Sequence, residues 1–268
     1  MAEIGKAKQR LTIRIGRSTM AMLVSSDDGE EVVFEPYVVK SGVSMAANLR
    51  EAFKSSDLLL QAPPRVRVMI DSDVLLVPVE LFDEASMEQL HRHAFPRQEQ
   101  DVVAYNVLPE LNAVAVFAVN KDLKLVLDDH FRDVRLVEAL QPVWRHLHQR
   151  SFTGASRKLY GYFHEKRLEL FSFHKNRFRF FNSFDAGRSK DAVYYISYVW
   201  RQQNMDASAD ELHLVGDIPD EAEVLEELRC FLKKVMVINP SADFSGHPAL
   251  DAKDMPYDLL TMVVKGRG

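Results

Sequence analysis

Residues 11–24 read LTIRIGRSTMAMLV, two apolar runs folded about the corner Gly16-Arg17-Ser18-Thr19. Leu11, Ile13 and Ile15 alternate with Thr12 and Arg14, the period of two that marks a half-buried strand. The apolar run resumes over 20–24, and VVFEPYVV (32–39) carries the pattern on, so the chain opens as a strand meander. Ser44 then stands at an N-cap position before Met45, Leu49, Ala52 and Phe53. Their i, i+4, i+7, i+8 spacing lays one apolar stripe along a helix. After the Pro63-Pro64 break, RVRVMI (65–70) returns to strand. In several nucleotide-binding folds, backbone N–H groups at such a glycine-containing corner hold a phosphoryl tail. Gly16 therefore marks the first candidate site.

A chain of 268 residues with 47% hydrophobic side chains is long enough for one large or two modest domains with real cores. Its net charge of −5 and pI near 6.0 give no global attraction to nucleic acid or anionic lipid. Cys230 is the single cysteine, which excludes an internal disulfide and fits a reducing compartment. The opening MAEIGKAKQR has no apolar core of a signal peptide, and the longest apolar run, AVAVFAV (113–119), is too short to span a bilayer. The expectation is a cytoplasmic protein with no membrane span.

Past the first helix, VLLVPV (74–79) reads as strand, and Ser86 with Gln89 forms a capping box ahead of Met87, Leu90 and Ala94. DVVAYNVL (101–108) and AVAVFAV, separated by PELN, form a hairpin. Asn120 is placed to cap a helix carrying Leu123, Val126 and Leu127, and a brief VRLVEAL segment and the run from 141 to 150 follow. SFTGASRK (151–158), small, polar and glycine-containing, is the best internal boundary. Beyond it the order restarts. Three strands lead into a helix with the stripe Ala192, Ile196, Val199 and Trp200, then a strand ELHLVG (211–216). A helix with Val224, Leu225, Leu228, Phe231 and Leu232 on its apolar side comes next, and VMVI (235–238) is extended. This predicts a duplicated α/β fold: a disordered N-terminus over 1–10, a first lobe over 11–150 with a small α+β insert at about 74–119, and a second lobe over 151–268. Residues 241–256 read as a surface loop, and 257–264 as a final helix docking on the first lobe.

Other constellations have plainer readings. Asp71-Ser72-Asp73 is a turn sequence. The pairs His91/His93 and His146/His148 sit at i, i+2 on helices, which points the two rings of each pair apart, so they read as surface histidines with no metal site. Cys230 reads as a packed thiol. FSFHKNRFRFFNSF (171–184) places six phenylalanines among Arg177, Arg179 and other basic residues. Such interleaving can stack bases and neutralise phosphates, but the alternation also fits a core strand with Phe178 and Phe180 on one face, and the acidic net charge favours the core. No Walker loop, Rossmann fingerprint or Gly-x-Ser-x-Gly occurs.

The meander from RLTIRIG onward and its repetition after 158 resemble the actin-like ATPase superfamily, with its two-lobed, ribonuclease H-like fold. The run RVRVMI through VLLVPVELF, ELFDEASMEQLHRHAF, DVVAYNVL and AVAVFAV is similar to the subdomain insert of the cell-division protein FtsA and the pilus-assembly protein PilM. The whole pattern also resembles an uncharacterised Bacteroidetes-type bacterial family with this fold. The resemblance implies Asp-x-Gly at the end of the first strand, to organise Mg²⁺ and a phosphate. This chain has Arg14-Ile15-Gly16. The matching hairpin of the second lobe is the polar turn His164-Glu165-Lys166-Arg167, with Gly161 early on its strand, and the expected Gly-Gly pair is reduced to Gly216-Asp217. What the resemblance implies is a vestigial nucleotide cleft at Arg14, Gly16, Arg17, Ser18, Thr19, Gly216 and Asp217, with no catalytic or metal-binding residue. ATP and Mg²⁺ are not expected as cofactors. The role implied is a scaffold or adaptor bound to a protein partner. Two alternatives stay open: a divergent ATP-binding or kinase-like protein, and a nucleic-acid-associated protein acting through Arg177 and Arg179.

Overall fold

The alternation at 11–24 becomes a hairpin in a computed structural model that describes residues 9–26, 31–96 and 101–265. Of the stretch 1–10 expected to be disordered, residues 1–8 lie outside the described residues, as do 266–268 at the other end. β1 (Gln9–Ile15) pairs antiparallel with β2 (Met20–Ser26), Ile15 opposite Met20, so the Gly16 corner is the hairpin turn. β3 (Val32–Tyr37) completes the meander. α1 (Met45–Ser55) starts where expected, the Ser44 hydroxyl accepting the Ala47 N–H at 3.2 Å, and α2 (Asp57–Leu60) follows. β4 (Arg65–Ile70) then runs parallel to β1. Next come β5 (Val74–Pro78), α3 (Met87–Ala94), β6 (Val102–Leu108) and β7 (Ala113–Val119), the last three strands forming a separate sheet in the order β5-β7-β6. α4 (Lys121–His130), capped by Asn120, leads to β8 (Asp133–Glu138), parallel to β4. The Asn106 amide of β6 donates to Leu136 O at 3.0 Å and its carbonyl accepts the Glu138 N–H at 2.8 Å, which ties the small sheet to the β8 backbone.

α5 (Gln141–Ser151) precedes the repeat: β9 (Lys158–His164), β10 (Arg167–His174), β11 (Arg177–Asp185), α6 (Ser189–Gln202), β12 (Glu211–Gly216), α7 (Glu221–Arg229) and β13 (Val235–Val237). α8 (Pro240–Asp243) and α9 (Tyr257–Lys265) close the chain. The two five-stranded sheets run β3-β2-β1-β4-β8 and β11-β10-β9-β12-β13. Each is an antiparallel meander extended by two parallel strands. Even the hydrogen bond after the fourth strand repeats: Asp71 N–H donates to Ile15 O at 3.0 Å, and Asp217 N–H to Phe163 O at 2.9 Å. The duplication hidden at the level of residue identity is explicit in the pairing.

The chain divides into two units, residues 1–108, 113–142 and 246–268 in the first and 109–112 with 143–245 in the second. The boundary at 151–158 predicts a second lobe over all of 151–268. The structure gives its last 23 residues to the first unit, because α9 buries Leu259 and Met262 against Ala21, Leu23, Met69, Val137 and Ala139 of the sheet. In the second unit α6 and α7 cover one face of the sheet, with Ile196, Trp200, Val224 and Leu228 packed on Leu159, Leu168, Leu170, Leu212 and Leu214.

Several local expectations are corrected. A register shift between Ser172 and Phe173 leaves Arg179 as the extra residue of a β-bulge in β11. Phe178 and Phe180 therefore do not share a face: Phe178 and Phe181 meet Trp144 edge-on, while Phe180 and Phe184 join the core under α6. α7 stops at Arg229, so Phe231 is 67% exposed and Cys230 is exposed where a packed thiol was expected. The loop at 241–256 includes α8 and buries Phe244 and Ala249. His91, His146 and His148 are buried, not on the surface; His148 holds Lys175 O at 2.9 Å and His146 holds Asp243 at 3.1 Å.

Burial pushes the His91 pKa below its ordinary 6.5. The unfolded chain takes up a proton near that pH that the folded chain refuses, so His91 stabilises fully above about pH 6.5 and less as pH falls toward its lower folded value. The urea midpoint is expected to drop between pH 7 and pH 5, and by less in His91→Gln. An equal drop in the variant would assign the effect elsewhere, such as to His213, which burial shifts in the same direction.

Candidate functional site

Arg14 lies in the row Ala21–Arg14–Met69–Val137 that crosses four strands on the face covered by α9. A guanidinium in an otherwise apolar row needs an anion, and α9 supplies it from its first turn, where the helix dipole also favours a carboxylate. Arg14 Nε donates to Asp258 Oδ1 at 2.8 Å and Oδ2 at 3.0 Å, and Nη2 donates to Oδ2 at 2.8 Å. The side chains are 1% and 0% exposed. Nη1 donates to Thr19 Oγ1 at 2.9 Å, and the Gly16 N–H closes the corner on Thr19 O at 2.8 Å. Arg17, on the open side, donates through Nη2 to Asp73 at 2.6 Å and sets Nε 3.7 Å from Asp71. Ser18 is exposed.

Thus Arg14, Gly16, Arg17, Ser18 and Thr19 do form one corner, with three carboxylates against two guanidinium groups. Asp71 and Asp73, a plain turn by sequence, belong to this corner through Arg17, and Asp258 joins it from the far end of the chain. A usable signal was present. Asp258 is an acid inside the apolar run 257–264, and Arg14 is a base inside an apolar strand; each needs a buried counter-charge.

Gly216 and Asp217 belong to the second unit. Gly216 has φ +95°, and a Cβ on it would sit 2.0 Å from Phe163 O, so the backbone alone demands glycine. The hairpin between β9 and β10 turns on Glu165 and Lys166, both at positive φ (45° and 65°), the geometry of a tight two-residue connection. Beside it, the buried Glu169 accepts from the Ser183 hydroxyl at 2.7 Å and lies 3.3 Å from His164 Nε2 and 3.5 Å from Arg167 Nε.

Arg177 and Arg179 are exposed on the edge strand β11, and none of the six phenylalanine rings of 171–184 is exposed. Charge and a bulge on an edge strand are what keep a sheet from adding strands of another chain. Among the described residues, no group of three or more His, Cys, Asp or Glu is arranged to hold a metal ion, and no helix is long and apolar enough to cross a membrane.

Comparison with known proteins gives the fold its context. The family model described as "Protein of unknown function (DUF3822)" matches residues 2–235. The crystal structure of a Bacteroides thetaiotaomicron protein with an actin-like ATPase fold and unknown function is 28% identical, with a TM-score of 0.81 over 90% of this chain and 95% of that one. A chain of the PilM-PilN type IV pilus biogenesis complex matches at 12% identity with a TM-score of 0.57, over 95% of this chain and 97% of that one. No curated protein matches. The fold is the actin-like one, two mixed sheets flanked by helices, and the likeness to PilM is one of fold.

Proposed function

This chain belongs to the DUF3822 family, and from that membership and the actin-like fold we propose that it acts as a non-catalytic scaffold or adaptor whose nucleotide site is degenerate. The observation that carries this is the Arg14–Asp258 pair. The position that the superfamily gives to the acid organising Mg²⁺ and phosphate holds a cation, and that cation is buried and consumed by the protein's own carboxylate. The corner is no better suited to a phosphate from its open side, because Asp71 and Asp73 stand on Arg17 and would repel a phosphate approaching it. Nor does Gly216 argue for a nucleotide, since its backbone accounts for it. A Mg·ATP tail does not fit these residues. The PilM-PilN complex supplies a precedent within the fold for a member engaged by another protein, which supports a protein partner. The nucleic-acid reading loses support because the rings that would stack bases are buried or half-buried, packed on Trp144 or on the core under α6, and none is exposed.

Titration of the protein with Mg·ATP and ADP is expected to release no binding heat, and millimolar nucleotide to leave the melting temperature unchanged. A ligand at 100 times its Kd would add about 2.7 kcal/mol, a shift no thermal melt would miss. Micromolar binding that Arg17→Ala weakens would overturn the proposal in favour of a divergent ATP-binding protein.

A further inference from the structure

α7 buries Val224 and Leu228 against the sheet, sets Leu225 half-buried at the margin of the same core, and leaves Glu221, Ala222, Glu226, Arg229 and Cys230 exposed. There Glu221, Ala222, Leu225, Glu226, Arg229 and Cys230 line a shallow groove. Glu221, Leu225 and Arg229 follow one another at i, i+4 and i+8, the spacing that builds a ridge on a helix surface. Neither Glu221 nor Arg229 has an ion-pair partner among the described residues. The stripe is therefore half-apolar, with an uncompensated acid at one end and an uncompensated base at the other.

The order acid, leucine, base is self-complementary. A two-fold axis through Leu225, perpendicular to the helix, sets a second α7 antiparallel and brings residue 225 − n opposite 225 + n. Glu221 then faces the partner's Arg229, the reciprocal pair forms by symmetry, and the two Leu225 side chains meet on the axis, as an isologous interface requires. A parallel arrangement would oppose like charges at both ends. We propose that this face of α7 is a homodimer contact, its occupant a second copy of the chain docked antiparallel through Leu225. One helix pair buries little area, so the dimer is a weak one, formed at micromolar and higher concentration. The inference stands apart from the scaffold reading, because it uses no residue of the Gly16 corner.

Sedimentation equilibrium of the full chain, from the low micromolar range upward, tests it. A monomer–dimer equilibrium is expected. Glu221→Arg and Arg229→Glu should each weaken dimerisation about tenfold, since each breaks two symmetry-related pairs and opposes like charges, and the double variant should restore it. Leu225→Cys in a Cys230→Ser background should oxidise to a covalent dimer. Glu221 and Arg229 are exposed, so the charge variants leave the core untouched; Leu225 is half-buried at its margin, and circular dichroism checks that Leu225→Cys keeps the fold. A chain that stays monomeric throughout, or a double charge swap that dimerises no better than the single variants, would overturn the proposal.

Discussion

Arg14→Ala and Asp258→Ala are each expected to cost about 3–5 kcal/mol, because each leaves the other partner charged in an apolar row with nothing to pair it. Both groups are essentially without solvent, at 1% and 0% exposure, so water cannot make up the loss. The pair itself earns little net stability: its desolvation penalty is of the same size as its Coulombic gain. Replacing both partners, Arg14→Met with Asp258→Leu, is therefore expected to be close to wild type, and the double-mutant cycle should show a large favourable coupling. Arg14→Lys should fall between, keeping the charge but losing the bidentate fork and the contact to Thr19. Arg14→Asp alone should be the worst of the series, since it sets two carboxylates against each other. Urea denaturation followed by far-ultraviolet circular dichroism, with hydrogen exchange at β1 and α9, is the measurement to make. Fluorescence is the wrong probe, because Trp144 and Trp200 both lie in the second unit. Single variants that lose less than about 1 kcal/mol would mean that the pair does not organise this face.

That pair also shows where sequence reasoning stopped. The strands and helices were legible because each follows a local rule: the alternation of Leu11, Ile13 and Ile15, the caps at Ser44 and Asn120, the hairpin around PELN. Arg14 at the end of a recognisable strand, where the resemblance to actin-like ATPases implies an acid, was visible as a base inside an apolar run. The partner of Arg14 was not legible, since Asp258 lies 244 residues away and only the packing of α9 on the sheet brings it back. The bulge at Arg179 escaped for a related reason. It is a property of pairing between β10 and β11, and alternation within β11 alone assigns Phe178 and Phe180 to one face. The spacing i, i+2 on a helix predicts surface rings for His146 and His148, whereas α5 turns both inward, where Asp243 and the Lys175 carbonyl each meet a ring Nε2.

Gly216→Ala is expected to destabilise the second unit by about 4 kcal/mol or more, through two terms that act together. The residue sits at φ +95°, which L-side chains rarely adopt, and the new methyl would lie 2.0 Å from Phe163 O, 3.0 Å from Phe163 C and 3.1 Å from Phe163 N. Those are backbone atoms in the pairing of β9 with β12, where Phe163 stands opposite Gly216, so no rotamer change relieves the clash. Two controls separate the terms. Gly161→Ala meets only side-chain ends, Leu214 Cδ2 at 2.8 Å, Leu168 Cδ1 at 3.2 Å and Leu170 Cδ2 at 3.4 Å, and should cost about 1–3 kcal/mol by overpacking. Gly154→Ala, at φ +73° with nothing within 4 Å, carries the conformational strain alone, about 1 kcal/mol. Trp144 and Trp200 make intrinsic fluorescence the right probe for this unit. If Gly216→Ala unfolds it while Gly154→Ala does not, then close backbone approach is sufficient reason for the glycine, and its presence is no residue of nucleotide chemistry. If Gly216→Ala instead stays within about 1 kcal/mol of wild type, the β12 end is looser than its hydrogen bonds imply, and room for a ligand beside Phe163 would have to be reconsidered.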